Sequence, residues 1–449
     1  MNGDFTLYTP TKVVFGHDVE TKAGAMVKAF GGTRVLLHYG GNSAVRSGLL
    51  DRVKASLEAE NIPYVALGGV VPNPRLEKVY EGIALAKENG VDFLLAVGGG
   101  SVIDSAKAIA YALAEPEHDV KELYEHTRAP KACFPLGVVL TLSASGSEMS
   151  DSSVISYEDK KRGVNSDLCR PRFALMNPAL TKTLPAYQTA AGCSDILMHT
   201  MERYFVNGNR MEITDALAEG LLRTVMQYAL VLRDDPENYA ARAEIMWACS
   251  LSHTGLTGCG NDAGDWACHR LEHELGALYD VTHGAGLTAV WPSWAKYVMH
   301  SCLPRFVRFA KNVMGVEPGA TDEETSLRGI DAAAAFFRSI GMPTNLKELG
   351  IDPTPEQYVE MAMNFLRLDS GVNDFVIAEY PLEPIVRQAV KRFSGEFILK
   401  GLRLELAPIS LTAVTDEKWL GFVIEQLLSN ALKYTPSGSV TVAQEEPGT

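Results

Sequence analysis

The sequence predicts an α/β doubly wound parallel-sheet domain, then an all-helical domain, then a short α+β C-terminal fragment. Three observations carry this. Short apolar runs alternate with helical stretches through the first third of the chain. Helical periodicity without strand alternation takes over near Leu184, and the pattern changes again after Leu368-Asp369-Ser370. Strands separated by helices of about 12–16 residues require right-handed crossovers, which build a parallel sheet covered on both faces.

The elements follow in order. TRVLLHYGG (33–41) reads as a buried strand ending in a glycine turn, and SGLLDRVKASLEAEN as the helix after it. PYVALGG and RLEKVYEGIALAKENG repeat the unit, as do DFLLAVGGG and SVIDSAKAIAYALA, and PLGVVL is a further strand. Beyond Leu184, helical patterns run over Ala190 to Phe205, Met211 to Leu232, Ala240 to Thr257, Ala263 to Leu278, Ala289 to Met314 and Leu327 to Ile340. The tail reads helix, strand, short strand, helix, strand. The expected domains are therefore 1–183, 184–371 and 372–449.

Composition narrows the function. The chain has 449 residues, 41 basic against 55 acidic, for a net charge of −14. That balance argues against a nucleic-acid partner or an anionic membrane surface. The first residues show no cationic segment followed by an apolar core, and no run approaches the roughly 20 apolar residues of a membrane helix. Seven cysteines without a CxxC pair do not read as a disulfide scaffold, so a cytoplasmic location is expected.

Gly98-Gly99-Gly100-Ser101 follows an apolar strand and opens a helix. Such a turn brings backbone N–H groups and the positive helix end close to an anion, although its spacing is not GxGxxG. Thr141-Leu-Ser-Ala-Ser-Gly-Ser-Glu148 ends another buried strand with hydroxyls and amides, which suit a dinucleotide. An acidic residue after the second strand would bind a ribose 2′-hydroxyl and repel a 2′-phosphate. Here Tyr39 is followed by Gly40, Gly41, Asn42 and Ser43, with Arg46 nearby and no carboxylate. NADP(H) is therefore favoured over NAD(H).

Six of the ten histidines lie between residues 199 and 300. Asp195 and His199 are spaced i, i+4, as are His269 and His273, and His283 follows a short loop. Residues at that spacing share one helix face. Any one of these histidines reads most simply as a packed imidazole. Together they offer hard and borderline metal ligands inside a helical bundle. HExxH, the zincin protease signature, does not occur.

Four segments make the chain resemble the iron-containing (group III) alcohol dehydrogenases, on their NADP-dependent butanol-dehydrogenase or aldehyde-reductase branch. They are GGGSVIDSAKA (98–108), TLSASGSE (141–148), TLPAYQTAAGCSDILMHTMERYF (183–205) and HRLEHELGALYDVTHGAGLTAV (269–290). The resemblance implies metal ligands Asp195, His199, His269 and His283, with His273 beside the substrate as a proton relay or a packing residue. It places Gly98 to Ser101 and Asp104 at the pyrophosphate, Thr141 and Ser145 along the dinucleotide, and Lys161 near the nicotinamide. Ser145 stands where the family usually has Thr, and Asn177 precedes Pro178 where Asp-Pro is common.

The implied activity is hydride transfer between NADP(H) and short-to-medium-chain aldehydes or alcohols, with a metal ion polarising the carbonyl. Four protein ligands would close a tetrahedral zinc site, so Fe(II) is expected, with Zn(II) as the alternative. A homodimer is expected from the family. Polyol oxidation within the same superfamily and a non-catalytic sensor or scaffold are the competing readings. The tail segments PLEPIVRQAVKRF, VTDEKWLGFVIEQLLSNALKYTPSG and SVTV resemble the start of a sensor histidine kinase ATP-binding domain. Asn430 would there hold Mg²⁺. The segment lacks that family's glycine-rich boxes, so no ATP chemistry is expected of it.

Overall fold

The computed structural model describes residues 3–41, 43–158, 160–207, 211–261, 264–370 and 378–415, with scattered positions from 420 to 443. The chain divides into two compact units, residues 1–365 and 366–449.

The first unit begins with a six-stranded sheet built from β1 (Lys12–Phe15), β2 (Val35–Tyr39), β3 (Tyr64–Leu67), β4 (Phe93–Gly98), β5 (Leu136–Leu140) and β8 (Phe173–Met176). The spatial order is β1-β8-β5-β4-β2-β3, and every neighbouring pair is parallel. The strands are apolar on both faces, as a doubly covered parallel sheet demands. Val35, Leu37, Phe93, Leu95, Val97, Phe173 and Leu175 face one core, which the Ala23–Ala29 and Leu49–Ala59 helices cover. The intervening Leu36, Leu94, Ala96, Ala174 and Met176 face the other, under the Leu76–Glu88 and Gly100–Ala114 helices. The chain leaves β2 toward β3, then returns to place β4 on the other side of β2. The crevice beyond the carboxyl ends of β2 and β4 is thus the switch point where such sheets bind ligands.

The β6 (Ser152–Tyr157) and β7 (Lys160–Asn165) strands form a separate antiparallel hairpin. Neither it nor β8 is among the strands read from the sequence.

Residues 186–339 are helical, with no strand among the described residues. The Ala186–Tyr204 helix is buried at every position from Ala190 onward, which explains its small and apolar composition. Around it stand the helices Glu212–Asp234, Tyr239–Ser252, Ala267–Tyr279, His283–Val298, Leu303–Asn312 and Asp322–Ser339. The single helix expected over Ala289 to Met314 is two. A 3₁₀ turn at Met299–Cys302 separates them, and Pro304 starts the second, where its missing N–H costs nothing. Phe205 stacks on Phe306 with ring centroids 4.2 Å apart at the centre of the helical core.

Among its described residues the second unit contains a Leu382–Leu399 helix and four short strands. It packs Ala389, Phe397, Leu402 and Leu428 into a small core of its own. Asn430 lies outside the described residues. Among the described residues no helix is long and apolar enough to cross a membrane.

Candidate metal and cofactor site

The glycine turn sits at the switch point. A Cβ on Gly98 would lie 2.6 Å from Val102 Cβ, and one on Gly99 or Gly100 would lie 3.0 Å from the Cβ of Leu142 or Ser145. Ordinary carbon contacts are about 3.5–4.0 Å, so the triplet is what lets the 141–148 loop press onto the start of the Gly100–Ala114 helix. The Thr141 N–H donates to the Gly98 carbonyl (3.1 Å), tying the ends of β5 and β4 together. Gly40 lies at the end of β2, where its carbonyl accepts from Gly69 N–H at 2.9 Å. A Cβ on Gly41 would meet open space. Ser43 opens a short Ser43–Arg46 helical turn, and Asn42 lies outside the described residues.

Asp104 does more than border this turn. Its carboxylate accepts from Ser147 Oγ (2.6 Å) and Val154 N–H (3.1 Å), so it anchors the 141–148 loop and the hairpin. Burial raises its pKa, against the opposing pull of Lys107. Lys107, missed in the sequence reading, is fully buried and donates to Ser147 Oγ and to the carbonyls of Ser150 and Ser152 at 2.7–3.0 Å.

The loop then leads into the helical region. A Cβ on Gly192 would clash with the Ser143 carbonyl, and Gly146 packs against the backbone of Cys249 and the Cβ of His253. One turn beyond Gly192 is Asp195. Three imidazoles surround its Oδ1: His199 Nδ1 at 3.3 Å, His283 Nε2 at 3.7 Å and His269 Nε2 at 3.8 Å. The ligand atoms of Asp195, His199 and His269 all lie within 4.8 Å of one another, and all three residues are buried.

Local sequence explains the convergence. Asp195 and His199 share one face of the buried helix at i, i+4, and His269 sits early in the Ala267–Tyr279 helix. His283 begins the His283–Val298 helix, and the next residue, Gly284, touches the backbone of Ala191 so closely that no Cβ fits.

Buried polar atoms normally find partners. Asp195 Oδ1, His199 Nδ1 and His269 Nε2 have no hydrogen-bond partner among the described residues. Donors about 2.1 Å from a shared ion at tetrahedral angles would stand roughly 3.4 Å apart, which the observed spacings approach. The residues present fit a divalent cation.

The outer ring nitrogens are engaged. His269 Nδ1–H donates to Glu202 Oε1 at 2.9 Å, and the His269 backbone N–H reaches the same oxygen at 3.1 Å. His283 Nδ1 donates to Glu272, which also accepts from Lys161 Nζ at 3.0 Å. Burial pulls the His269 pKa down, but the carboxylates of Asp195 and Glu202 outweigh it and hold it at about 9. His199 falls well below the ordinary value through burial and the neighbouring His253 and His269. Burial would raise Glu272, yet His283 and Lys161 keep it well below the usual carboxylate range. The His253 ring packs tilted against His199 at 4.1 Å between centroids, and Arg203 lies over the Trp266 ring at 4.5 Å.

His273 stands off this cluster, its ring 6.0 Å from that of His283. Burial, then Lys161, lowers its pKa well below the ordinary value. Lys161 pairs with Glu272, and its Nζ stands 3.4 Å from His283 Nδ1. Asn177 caps the turn after β8 through Ala179 N–H (3.1 Å), and its amide donates to the buried Glu20 at 3.0 Å. An Asp at this position would put a second carboxylate beside Glu20.

Comparison with known proteins agrees with this geometry. Residues 10–178 match the family described as "Iron-containing alcohol dehydrogenase", and residues 189–378 match "Fe-containing alcohol dehydrogenase family, C-terminal". The matches stop at residue 378 and lend no support to the histidine-kinase resemblance of the tail. The chain is 40% identical to the NADH-dependent butanol dehydrogenase A of Clostridium acetobutylicum over 77% of this chain and 89% of that one. It is 37% identical to the NADPH-dependent aldehyde reductase YqhD of Escherichia coli over 78% of this chain and 90% of the other. Among solved structures, the NADH-dependent butanol dehydrogenase A of Thermotoga maritima superimposes with a TM-score of 0.78 at 40% identity, covering 81% of this chain and 91% of that one. The chain belongs to the iron-containing alcohol dehydrogenase family.

Proposed function

We propose that the protein interconverts short-to-medium-chain aldehydes and alcohols using NADP(H) and one divalent cation, Fe(II) in preference to Zn(II). The observation that carries this reading is the set of partnerless donor atoms on Asp195, His199 and His269, beside a loop that starts at the sheet's switch point. His283 completes one carboxylate and three imidazoles, a donor set of hard and borderline character that suits either metal. When bound, the cation supplies a Lewis acid for a carbonyl oxygen and the nicotinamide supplies hydride.

The chain's own groups do the positioning. Gly98, Gly99, Gly100 and Ser101 offer backbone amides to the pyrophosphate at a helix N-terminus, with Thr141 and Ser145 alongside. Gly40-Gly41-Asn42-Ser43 places no carboxylate after β2 to repel a ribose 2′-phosphate, and a Cβ on Gly41 would meet open space. This supports NADP(H), while the relatives divide between NADH-dependent butanol dehydrogenases and NADP(H)-dependent enzymes. His273 lies near His283, 6.0 Å between ring centroids, and is assigned the proton relay at the substrate oxygen.

The test is NADPH oxidation with butanal after anaerobic Fe(II) reconstitution, run beside His269→Ala and beside NADH. The reading expects turnover that His269→Ala abolishes and a higher kcat/KM for NADPH. Turnover unaffected by His269→Ala overturns the metal assignment, and preference for NADH overturns the cofactor assignment.

A further inference from the structure

Lys161 and Glu272 are 111 residues apart in sequence, yet they form a buried ion pair at 3.0 Å, with side chains 6% and 0% exposed. The pair is tightly enclosed. A Cβ on Gly276 would lie 3.1 Å from both Glu272 Oε1 and Lys161 Nζ, and one on Gly286 would lie 2.8 Å from Glu272 Cγ. The same Glu272 oxygen that accepts from Lys161 accepts from His283 Nδ1. A bond to Nδ1–H fixes an imidazole's tautomer and plane, leaving the Nε2 lone pair for a metal. His283 Nε2 is the ring atom facing Asp195.

We propose that Lys161 and Glu272 are a positioning pair for the metal centre: Glu272 orients His283, and Lys161, carried by the β6–β7 hairpin, holds Glu272 in place. The pair gives the hairpin a role in metal retention. Glu202 does the equivalent for His269, so two of the three imidazoles are each braced by a buried carboxylate. The inference rests on the metal reading above.

The experiment measures Co(II) affinity by chelator competition and the Co(II) d–d absorption spectrum in the full-length protein. NADPH affinity, from cofactor fluorescence, is measured in parallel. Outer carboxylates of this kind typically contribute 10–100-fold to metal affinity. Glu272→Gln is expected to weaken Co(II) binding by about 10–100-fold and to alter the d–d bands. Glu272→Asp, which keeps the charge, should recover part of that loss. Lys161→Met should weaken Co(II) in the same direction, and the double variant should bind no worse than Glu272→Gln alone. NADPH affinity should stay within about two-fold throughout.

Wild-type Co(II) affinity and spectrum in both single variants would overturn the proposal. So would a Lys161→Met variant that loses NADPH affinity while keeping its metal. A wild-type protein that binds no Co(II) overturns the metal reading itself, and this proposal with it.

Discussion

Gly284→Ala is the smallest change that should disassemble the metal centre without touching a ligand. Gly284 follows His283 and crosses the buried helix at Ala191, one turn before Asp195. A Cβ added there would stand 2.7 Å from the Ala191 carbonyl carbon and 3.0 Å from its Cα, and closer still to the carbonyl oxygen. Carbon contacts relax at about 3.5–4.0 Å, so the helices must separate by roughly 1 Å. His283 Nε2 starts 3.7 Å from Asp195 Oδ1. Two ligands with bonds of about 2.1 Å cannot share an ion once they are more than about 4.2 Å apart, and the shift carries this pair past that limit. The expected result is Zn(II) or Co(II) affinity down by at least about 100-fold, with about 1–3 kcal/mol of stability lost to overpacking. Chelator competition measures the first and urea unfolding the second. A Gly284→Ala protein that is destabilised but binds metal like wild type would refute the claim that this helix crossing places His283.

Two further predictions concern groups away from the centre. Asn177→Asp would replace the amide that donates to buried Glu20 with a carboxylate. The repulsion should cost about 1–3 kcal/mol near neutral pH. The introduced carboxyl is held above its ordinary range, so the deficit shrinks as pH falls through its raised pKa. Melting temperatures of variant and wild type should therefore converge toward pH 5, and a gap independent of pH would count against the contact. Arg305 pairs through both terminal nitrogens with buried Asp215, at 2.6 and 2.8 Å, and its Nε–H donates to the Tyr204 carbonyl at 2.8 Å. Arg305→Ala leaves the buried Asp215 carboxylate with only its longer contacts to Arg308 (3.5 Å) and Asn261 (3.4 Å) and should cost about 3 kcal/mol in denaturant unfolding. A loss below 1 kcal/mol, as for a surface pair, would contradict that.

The elements with strong local signals were legible from the sequence. The runs around Val35–Tyr39, Phe93–Gly98 and Leu136–Leu140 are long and apolar enough to mark buried strands, and they fall in one parallel sheet. FALM in β8 is too short to separate from a helical fragment by periodicity. β7, KKRGVN, carries too little apolar content to signal a strand, although Ser152–Tyr157 beside it holds a period-two trace.

The same division runs through the site. Asp195 and His199 announce themselves at i, i+4 because helix geometry brings them together. Glu202, Glu272 and Lys107 carry no local mark, since their partners lie 67, 111 and 40 residues away in sequence and are fixed only by tertiary packing. His253 was missed for the same reason. It sits at a helix end, and its contact with His199 arises from the crossing of two helices. The meaning of Asn177 also emerged only with structure, because Glu20 stands 157 residues away.

The proposed chemistry needs one cation held by Asp195, His199, His269 and His283. Metal content per chain tests it most directly, measured after anaerobic loading with Fe(II), desalting, and parallel treatment of Asp195→Ala. The account predicts about one iron per wild-type chain and close to none in the variant, because Asp195 Oδ1 is the atom all three imidazoles surround. Equal iron in a folded Asp195→Ala protein would contradict it.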